Sequence, residues 1–311
     1  MKKILITGAS GFVGSHTVRQ AVTLGYEVHA LVREDSSRER ITDVEEKISI
    51  HTGALEDREF IHSLVKQLRP RAVLHLATSP IMSGKTADAS TLIRTNIEGT
   101  VNLMDAAQAS GVGAFINLGS GVGEYGPKNH PVAEDERCEP VELYAVTKLA
   151  GTLYGQGLAQ RTGFPCLTFR LFTPYGPGIQ KGRLLYNLIE HTLKGTPVQM
   201  GAPTVSRDFI FAEDIPPLLL EALERAEEKK GEIYNLGSGE STTLQSLVET
   251  VFRASDMKTE VEWNKLPVLS YDSEFWQADM TKTFKAFSWR PKISLLKGVT
   301  RTVEWMRTRD A

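Results

Sequence analysis

The chain has 311 residues, 41% apolar and 24% charged, the make-up of a soluble globular enzyme with one large or two small domains. Its 36 basic and 38 acidic side chains leave a formal charge of -2, which gives no basic stripe for a nucleic-acid backbone and excludes nucleic acid as an expected partner. Two cysteines in unrelated contexts exclude a disulfide framework, and seven scattered histidines, no two of them spaced to share a helix face, exclude a metal site.

The start, Met1-Lys2-Lys3-Ile4-Leu5-Ile6, runs straight into Thr7-Gly8 and leaves no room for the apolar core of a signal peptide. No later run reaches about 18 apolar residues, so a cytoplasmic protein that does not span a membrane is expected. Ile4-Leu5-Ile6 is a short apolar run bounded by Gly8, the pattern of a buried parallel strand. It leads into Gly8-Ala-Ser-Gly11-Phe-Val-Gly14 and an amphipathic stretch from Phe12 to Leu24. Strand, glycine turn and helix in this order place helix N-terminal amides under a phosphate. A plain glycine turn would read alike, but the place after the first strand of a βαβ unit favours dinucleotide binding, with Phe12 and Val13 among the contacts.

The second strand, Glu27 to Val32, should end beside the adenosine ribose, where an acidic residue suits the 2′-hydroxyl and arginine suits a 2′-phosphate. Arg33 stands there, with Ser36, Ser37 and Arg38 beyond, which points to NADP, with NAD as the other possibility. Neighbouring Glu34, Asp35 and Glu39 also allow a solvated loop. Leu55 follows the third strand, Ile48 to Ile50, and is counted with the cofactor contacts. A helix over 58–68, a strand over 72–76 and Ala77-Thr78 facing the cofactor come next, then a long helix over 91–109. The fifth strand, Ala114 to Leu118, ends in Gly119-Ser120-Gly121, which places the Ser120 hydroxyl where it could reach a substrate carbonyl beyond the strand end, although a serine between glycines is also a common turn residue.

Tyr144-Ala-Val-Thr-Lys148 lies on the following helix. Residues four apart share a helix face, about 5–6 Å apart at Cβ, and a nearby cation lowers the cost of ionising a phenol. The pair is a candidate acid/base device, although a Tyr and a Lys at this spacing are more often just a helix face. The sixth strand, Cys166 to Leu171, opens a Pro- and Gly-rich loop over 172–178, after which helices are expected over 184–194, 215–229, 243–254 and 294–306. The whole reads as an α/β protein with a doubly wound parallel sheet. The dinucleotide-binding domain covers 1–171, to which 212–238 returns, and a smaller substrate lobe is built from 172–211 and 239–311.

Gly8-x-x-Gly11-x-x-Gly14, His75-Leu-Ala77, Tyr144-x-x-x-Lys148 and Arg207-Asp-Phe-Ile210 with Asp214 together resemble the extended short-chain dehydrogenase/reductase family, in its nucleotide-sugar epimerase/dehydratase/reductase branch. Arg170-Leu-Phe-Thr-Pro-Tyr-Gly-Pro177, Tyr234-Asn-Leu-Gly237 and Phe287-Ser-Trp-Arg-Pro291 extend the resemblance over essentially the whole chain. It implies a Rossmann sheet, a nucleotide-diphosphate sugar as substrate and a homodimer. It also implies that Lys148 binds the nicotinamide ribose and supports Tyr144, that Ala77 and Thr78 line the cofactor, and that Arg207 meets the diphosphate. Arg207 beside Asp208 also reads as a surface ion pair.

Departures from the pattern narrow the reaction. The Thr-Asp-Glu of sugar dehydratases is replaced by Gly121-Val122-Gly123, so dehydration is not expected. The usual catalytic Ser/Thr position is Gly121, with Ser120 one residue earlier, and Thr173 replaces a frequent substrate-contacting Asn. Glu124 takes the place of valine in Val-Tyr-Gly. The expectation is an NADP-dependent reductase of a nucleotide-linked 4-keto-6-deoxyhexose. An NAD-dependent nucleotide-sugar 4-epimerase and a non-catalytic NADP-binding regulatory protein stand as alternatives.

Overall fold

The computed structural model describes residues 2–79, 88–266 and 274–309. In chain order the first half builds β1 (Lys3–Thr7), α1 (Phe12–Thr23), β2 (Glu27–Val32), β3 (Ser49–Thr52), α2 (Arg58–Leu68), β4 (Ala72–His75), α3 (Ala89–Ile93), α4 (Gly99–Ala109), β5 (Ala114–Ser120), α5 (Gly121–Tyr125), α6 (Leu143–Thr162) and β6 (Cys166–Leu171). The strand Ile233–Leu236 returns to the same sheet beside β6. The seven strands are all parallel, in the order Ile233–Leu236, β6, β5, β4, β1, β2, β3. Strand order reverses at β1, which pairs with both β2 and β4, and the loops leaving β1 and β4 diverge to open a crevice at their carboxyl ends.

Successive side chains of a strand point to opposite faces, and β1 shows the result. Ile4 and Ile6 join a core with Val18 of α1 and with Leu218 and Leu219, whereas Leu5 joins Ile61 of α2, Leu103 of α4 and Leu158 of α6. Both faces are therefore covered, as a parallel sheet requires. A further apolar core gathers Tyr175, Leu188, Val198, Leu247, Val251 and Val299, from helices Leu184–Lys194, Leu244–Ser255 and Leu295–Arg309 and nearby strands. Among the described residues no helix is long and apolar enough to cross a membrane.

Two expected helices are built differently. The stretch read as one helix over 91–109 is interrupted by a π-helical turn, Arg94–Glu98, between α3 and α4. Such a turn carries one extra residue, and here it turns the Asn96 amide toward Ser79. The helix read over 215–229 ends at Arg225 and continues as a 3₁₀ turn, Ala226–Lys229.

α6 buries small and polar residues rather than an apolar stripe: Ala145, Lys148, Gly151, Thr152 and Gly155 are covered, whereas Leu143, Val146 and Leu153 are exposed. Its glycines let it lie close to the sheet, since a Cβ at Gly155 would sit 2.9 Å from Cys166 Sγ. That close packing delivers the first turns of α6 to the carboxyl end of β5.

Candidate active site

The turn after β1 is closed by backbone against backbone. Gly8 has a φ of +66°, and a Cβ on it would come within 2.6 Å of Ala77 N. One on Gly14 would come within 2.0 Å of Gly8 O. Only glycine fits either place. The turn thus opens bare amides and the start of α1 onto a cleft of about 870 Å³, a volume proper to a small-molecule site. A pyrophosphate suits these donors and the positive end of α1.

Along that cleft lie Phe12, Val13, Arg33, Ser37, Leu55, Ala77 and Thr78. Arg33 is exposed, with Nε 3.5 Å from Asp35 Oδ1, and Asp35 lines the cleft too. Leu55 is pinned from behind: its carbonyl accepts from Asn102 Nδ2 at 3.1 Å, and Gly99 leaves room for its side chain. Arg38 does not reach the wall; its guanidinium donates to Glu45 at 3.2 Å. Arg40, which the sequence did not single out, lines the cleft instead and donates through Nε to Gly178 O at 2.9 Å.

Tyr144 and Lys148 line the cleft beside Gly119 and Ser120. Burial pushes the Tyr144 phenol above its ordinary value, while the hydroxyls of Thr78 and Ser120 and the charge of Arg183 act the other way. Burial pulls the Lys148 ammonium down to about 8, against the attraction of Glu124. Ser120 ends β5 and caps α5, its Oγ accepting from Gly123 N at 3.2 Å. A Cβ at Gly121 would lie 2.5 Å from Cε2 of Phe172, so that ring fills the space where a side chain at 121 would begin, and the hydroxyls beside the phenol are those of Thr78 and Ser120.

Behind this wall His75 is buried and neutral, its pKa lowered to about 3 by burial and by the Lys148 charge. Its Nδ1 meets Thr7 Oγ1 at 2.8 Å and its Nε2 meets Thr100 Oγ1 at 2.9 Å. Asn96 ties the neighbouring pieces together. Its Oδ1 accepts from Ser79 N at 2.8 Å and Thr78 Oγ1 at 3.2 Å, and its Nδ2 donates to Thr147 Oγ1 at 3.0 Å. Sequence reading passed over Asn96 because nothing in a helical pattern announces a π turn.

The far end of the cleft is lined by Thr173, Arg183 and Arg207. Thr173 begins a short strand, Thr173–Tyr175, that pairs with Phe209–Phe211. Arg207 donates through Nη1 to Ser206 O at 2.8 Å. Asp208, read as its surface partner, is instead fully buried and accepts from Ser238 N at 2.6 Å, Ser238 Oγ at 2.7 Å, and Gly239 N and Ala278 N at 3.0 Å each. Arg183 follows Gly182 in a loop whose turns the sequence does not fix, and it was not anticipated.

The chain as a whole resembles known proteins. Residues 4–237 match the family described as the NAD dependent epimerase/dehydratase family. Over 316 aligned residues the chain is 26% identical to the UDP-glucose 4-epimerase of Mycolicibacterium smegmatis, covering 99% of each. The crystal structure of UDP-glucose 4-epimerase from Thermotoga maritima with UDP-glucose superposes with a TM-score of 0.91 at 26% identity, over 99% of this chain and 100% of that one. That of the Thermus thermophilus UDP-glucose 4-epimerase in complex with NAD gives 0.85 at 25% identity, over 98% and 99%. The matched span contains both the β1 turn and α6, and the chain belongs to the NAD-dependent epimerase/dehydratase family of extended short-chain dehydrogenases/reductases.

Proposed function

We propose that the protein is a nucleotide-sugar 4-epimerase that oxidises and re-reduces one sugar carbon with a tightly held nicotinamide cofactor, NAD in the first instance. The observation that carries this is the placing of Tyr144, Lys148 and Ser120 in the same cleft as the glycine cradle. The 4-epimerases that the chain resembles over almost its whole length support the choice of reaction. Val122 and Gly123 line the cleft where a dehydratase of this family needs carboxyl groups.

Gly8, Gly11 and Gly14 would hold the pyrophosphate, and Lys148 the nicotinamide ribose. Bound there, the cofactor supplies an acceptor and then a donor of hydride. Tyr144 takes the proton of the sugar hydroxyl as the carbon is oxidised and returns it to the oxygen on re-reduction. Lys148 favours the phenolate by its charge, and Ser120 donates to the sugar oxygen and holds it at the phenol. Arg207 would take the diphosphate, a task suited to a guanidinium fork, and Thr173 would meet the sugar.

Asp35 beside Arg33 favours NAD, since it offers the ribose an acidic group and partly occupies the guanidinium. Arg33 at the cleft also supports a second reading, in which an exchanging NADP serves net reduction of a 4-keto sugar. Denaturing the purified protein and identifying the released dinucleotide separates the two. A panel of UDP-hexoses given no reductant should yield C4 epimers, and Tyr144→Phe should slow the conversion by about 10²–10⁴-fold with the fold intact. Consumption of NADPH with a 4-keto sugar, without epimerisation, would establish the reductase instead. The exposed Ile93, Leu143, Val146 and Leu153 on α3 and α6 support a homodimer through these helices, which sedimentation velocity checks.

A further inference from the structure

One buried carboxylate beside the site takes no part in the chemistry above. Glu124 is fully covered and does not line the cleft. Its Oε1 accepts from Ser120 N at 2.8 Å and from Thr152 Oγ1 at 3.1 Å, and its Oε2 accepts from Arg170 Nε at 2.9 Å. Gly119 makes room for it, because a Cβ there would come within 2.5 Å of Oε1. The pair with Arg170 offsets the cost of burying the charge. It does not account for the oxygen that faces Ser120 and α6.

Tyr144, Lys148 and Thr152 follow one another at four-residue steps on α6, so they form one stripe, with the phenol at one end and Glu124 bonded at the other. We propose that Glu124 is a positioning residue for proton transfer: it holds Lys148 as an ammonium and, through the Ser120 backbone, keeps that hydroxyl beside the phenol. Tyr144 and Lys148 titrate as a coupled pair. Once one proton has left, the useful form is phenolate beside ammonium, and the idle form is phenol beside neutral amine. Burial pushes the pair toward the idle form. Along α6 Lys148 stands one turn from Tyr144 and one turn from Thr152, to which Glu124 is bonded; the carboxylate favours the ammonium and disfavours the phenolate, and on this proposal the first effect is the larger. The other groups facing this pair are neutral His75 of β4, Arg183 at the cleft, and the Thr78 and Ser120 hydroxyls, while Arg170 of β6 and the Cys138 thiol face Glu124.

The kinetic arm of the test rests on the epimerase reading, and the thermodynamic arm does not. Glu124→Gln strands the Arg170 charge, so Glu124→Gln/Arg170→Gln, which buries no net charge, is measured beside it. Both should lower kcat for epimerisation about tenfold while KM for the nucleotide sugar stays within about twofold, since Glu124 is off the cleft wall. In both, the first proton should leave the pair about one pH unit lower. Without any substrate, the folded Lys148 titrates below its unfolded value of 10.5, so stability rises with pH between the two values. In the variants that rise should begin near pH 7 rather than about 8, and Lys148→Met should abolish it. Glu124→Asp, which keeps the charge, should leave the rise where the parent has it. Melting temperatures that fall while the kinetics and the onset of the rise stay at the parent's values would make Glu124 a structural ion pair and overturn the proposal. A parent protein that epimerises no UDP-hexose would defeat the epimerase reading, and the stability measurement would still decide the role of Glu124.

Discussion

Two turns close the floor of the cleft, one after β1 and one after β5, and they are held in opposite ways. After β1, Gly8 and Gly14 press backbone on backbone, and no side chain fits between. After β5, the turn is held by side chains, with Glu124 gripping the Ser120 amide and Phe172 filling the space over Gly121. A turn closed by backbone has one solution, glycine, and looks alike in every chain that uses it. A turn closed by side chains has many solutions, because a change at one residue can be met by a change at another. The β1 turn is therefore legible from its own glycines, and the β5 turn only from residues that the fold brings to it.

That contrast can be broken by experiment. The largest effect is expected from Gly14→Ala, whose Cβ forces the cradle open against Gly8 O. Dinucleotide affinity should fall by more than about 100-fold in calorimetric titration, or about 2.7 kcal/mol. Unchanged affinity would show that the β1 turn can yield after all. Next is the acid stability of the β1 side, where neutral His75 bonds Thr7. Its folded pKa of about 3 lies below the unfolded 6.5, so the unfolded chain takes up a proton first as pH falls between them. Denaturant unfolding should show this group removing about 1.4 kcal/mol of stability per pH unit below 6.5, with a flatter curve for His75→Asn. The smallest effect belongs to the β5 turn. Gly121→Ser should cost about 1 kcal/mol by pressing on Phe172, and adding Phe172→Leu should recover much of it. A Gly121→Ser protein as stable as its parent would mean that Phe172 does not hold the turn.

The same distinction explains what could be read from the residues alone. The glycine turn, the seven parallel strands and the Tyr144/Lys148 face were legible, because each follows from backbone sterics or helical spacing. The loop after Arg33 was not, since its residues Glu39–Lys47 wind into a 3₁₀ run that turns Arg38 to Glu45 and brings Arg40 to the cleft. Arg33 pointed to NADP, and the residues alone could not show that the exposed Asp35 carboxylate would lie 3.5 Å from its Nε. Epimerisation is proposed in place of the expected net reduction on the strength of the 4-epimerases that the chain resembles, because a Tyr/Lys pair moves protons in either direction and nothing in its spacing records which way a reaction runs. Nor could the residues alone show that Phe172, far away in sequence, closes position 121 and that Ser120 and Thr78 bring hydroxyls to the phenol.

The hydrogen bonds around His75 run one way. Ala77 N–H points to Thr7 Oγ1, and Thr100 Oγ1 gives its proton to Asn96 O at 2.7 Å. Thr7 is then left to donate to His75 Nδ1, and His75 Nε2 must carry the hydrogen toward Thr100. Reversing any one bond would require every member to exchange its hydrogen together. The chain of hydrogen bonds begins at a backbone amide and ends at a backbone carbonyl, neither of which gives up or takes on a proton, so this wall offers no route between the cleft and the interior. On the proposed mechanism, a proton that Tyr144 takes from a sugar would find no exit through this wall.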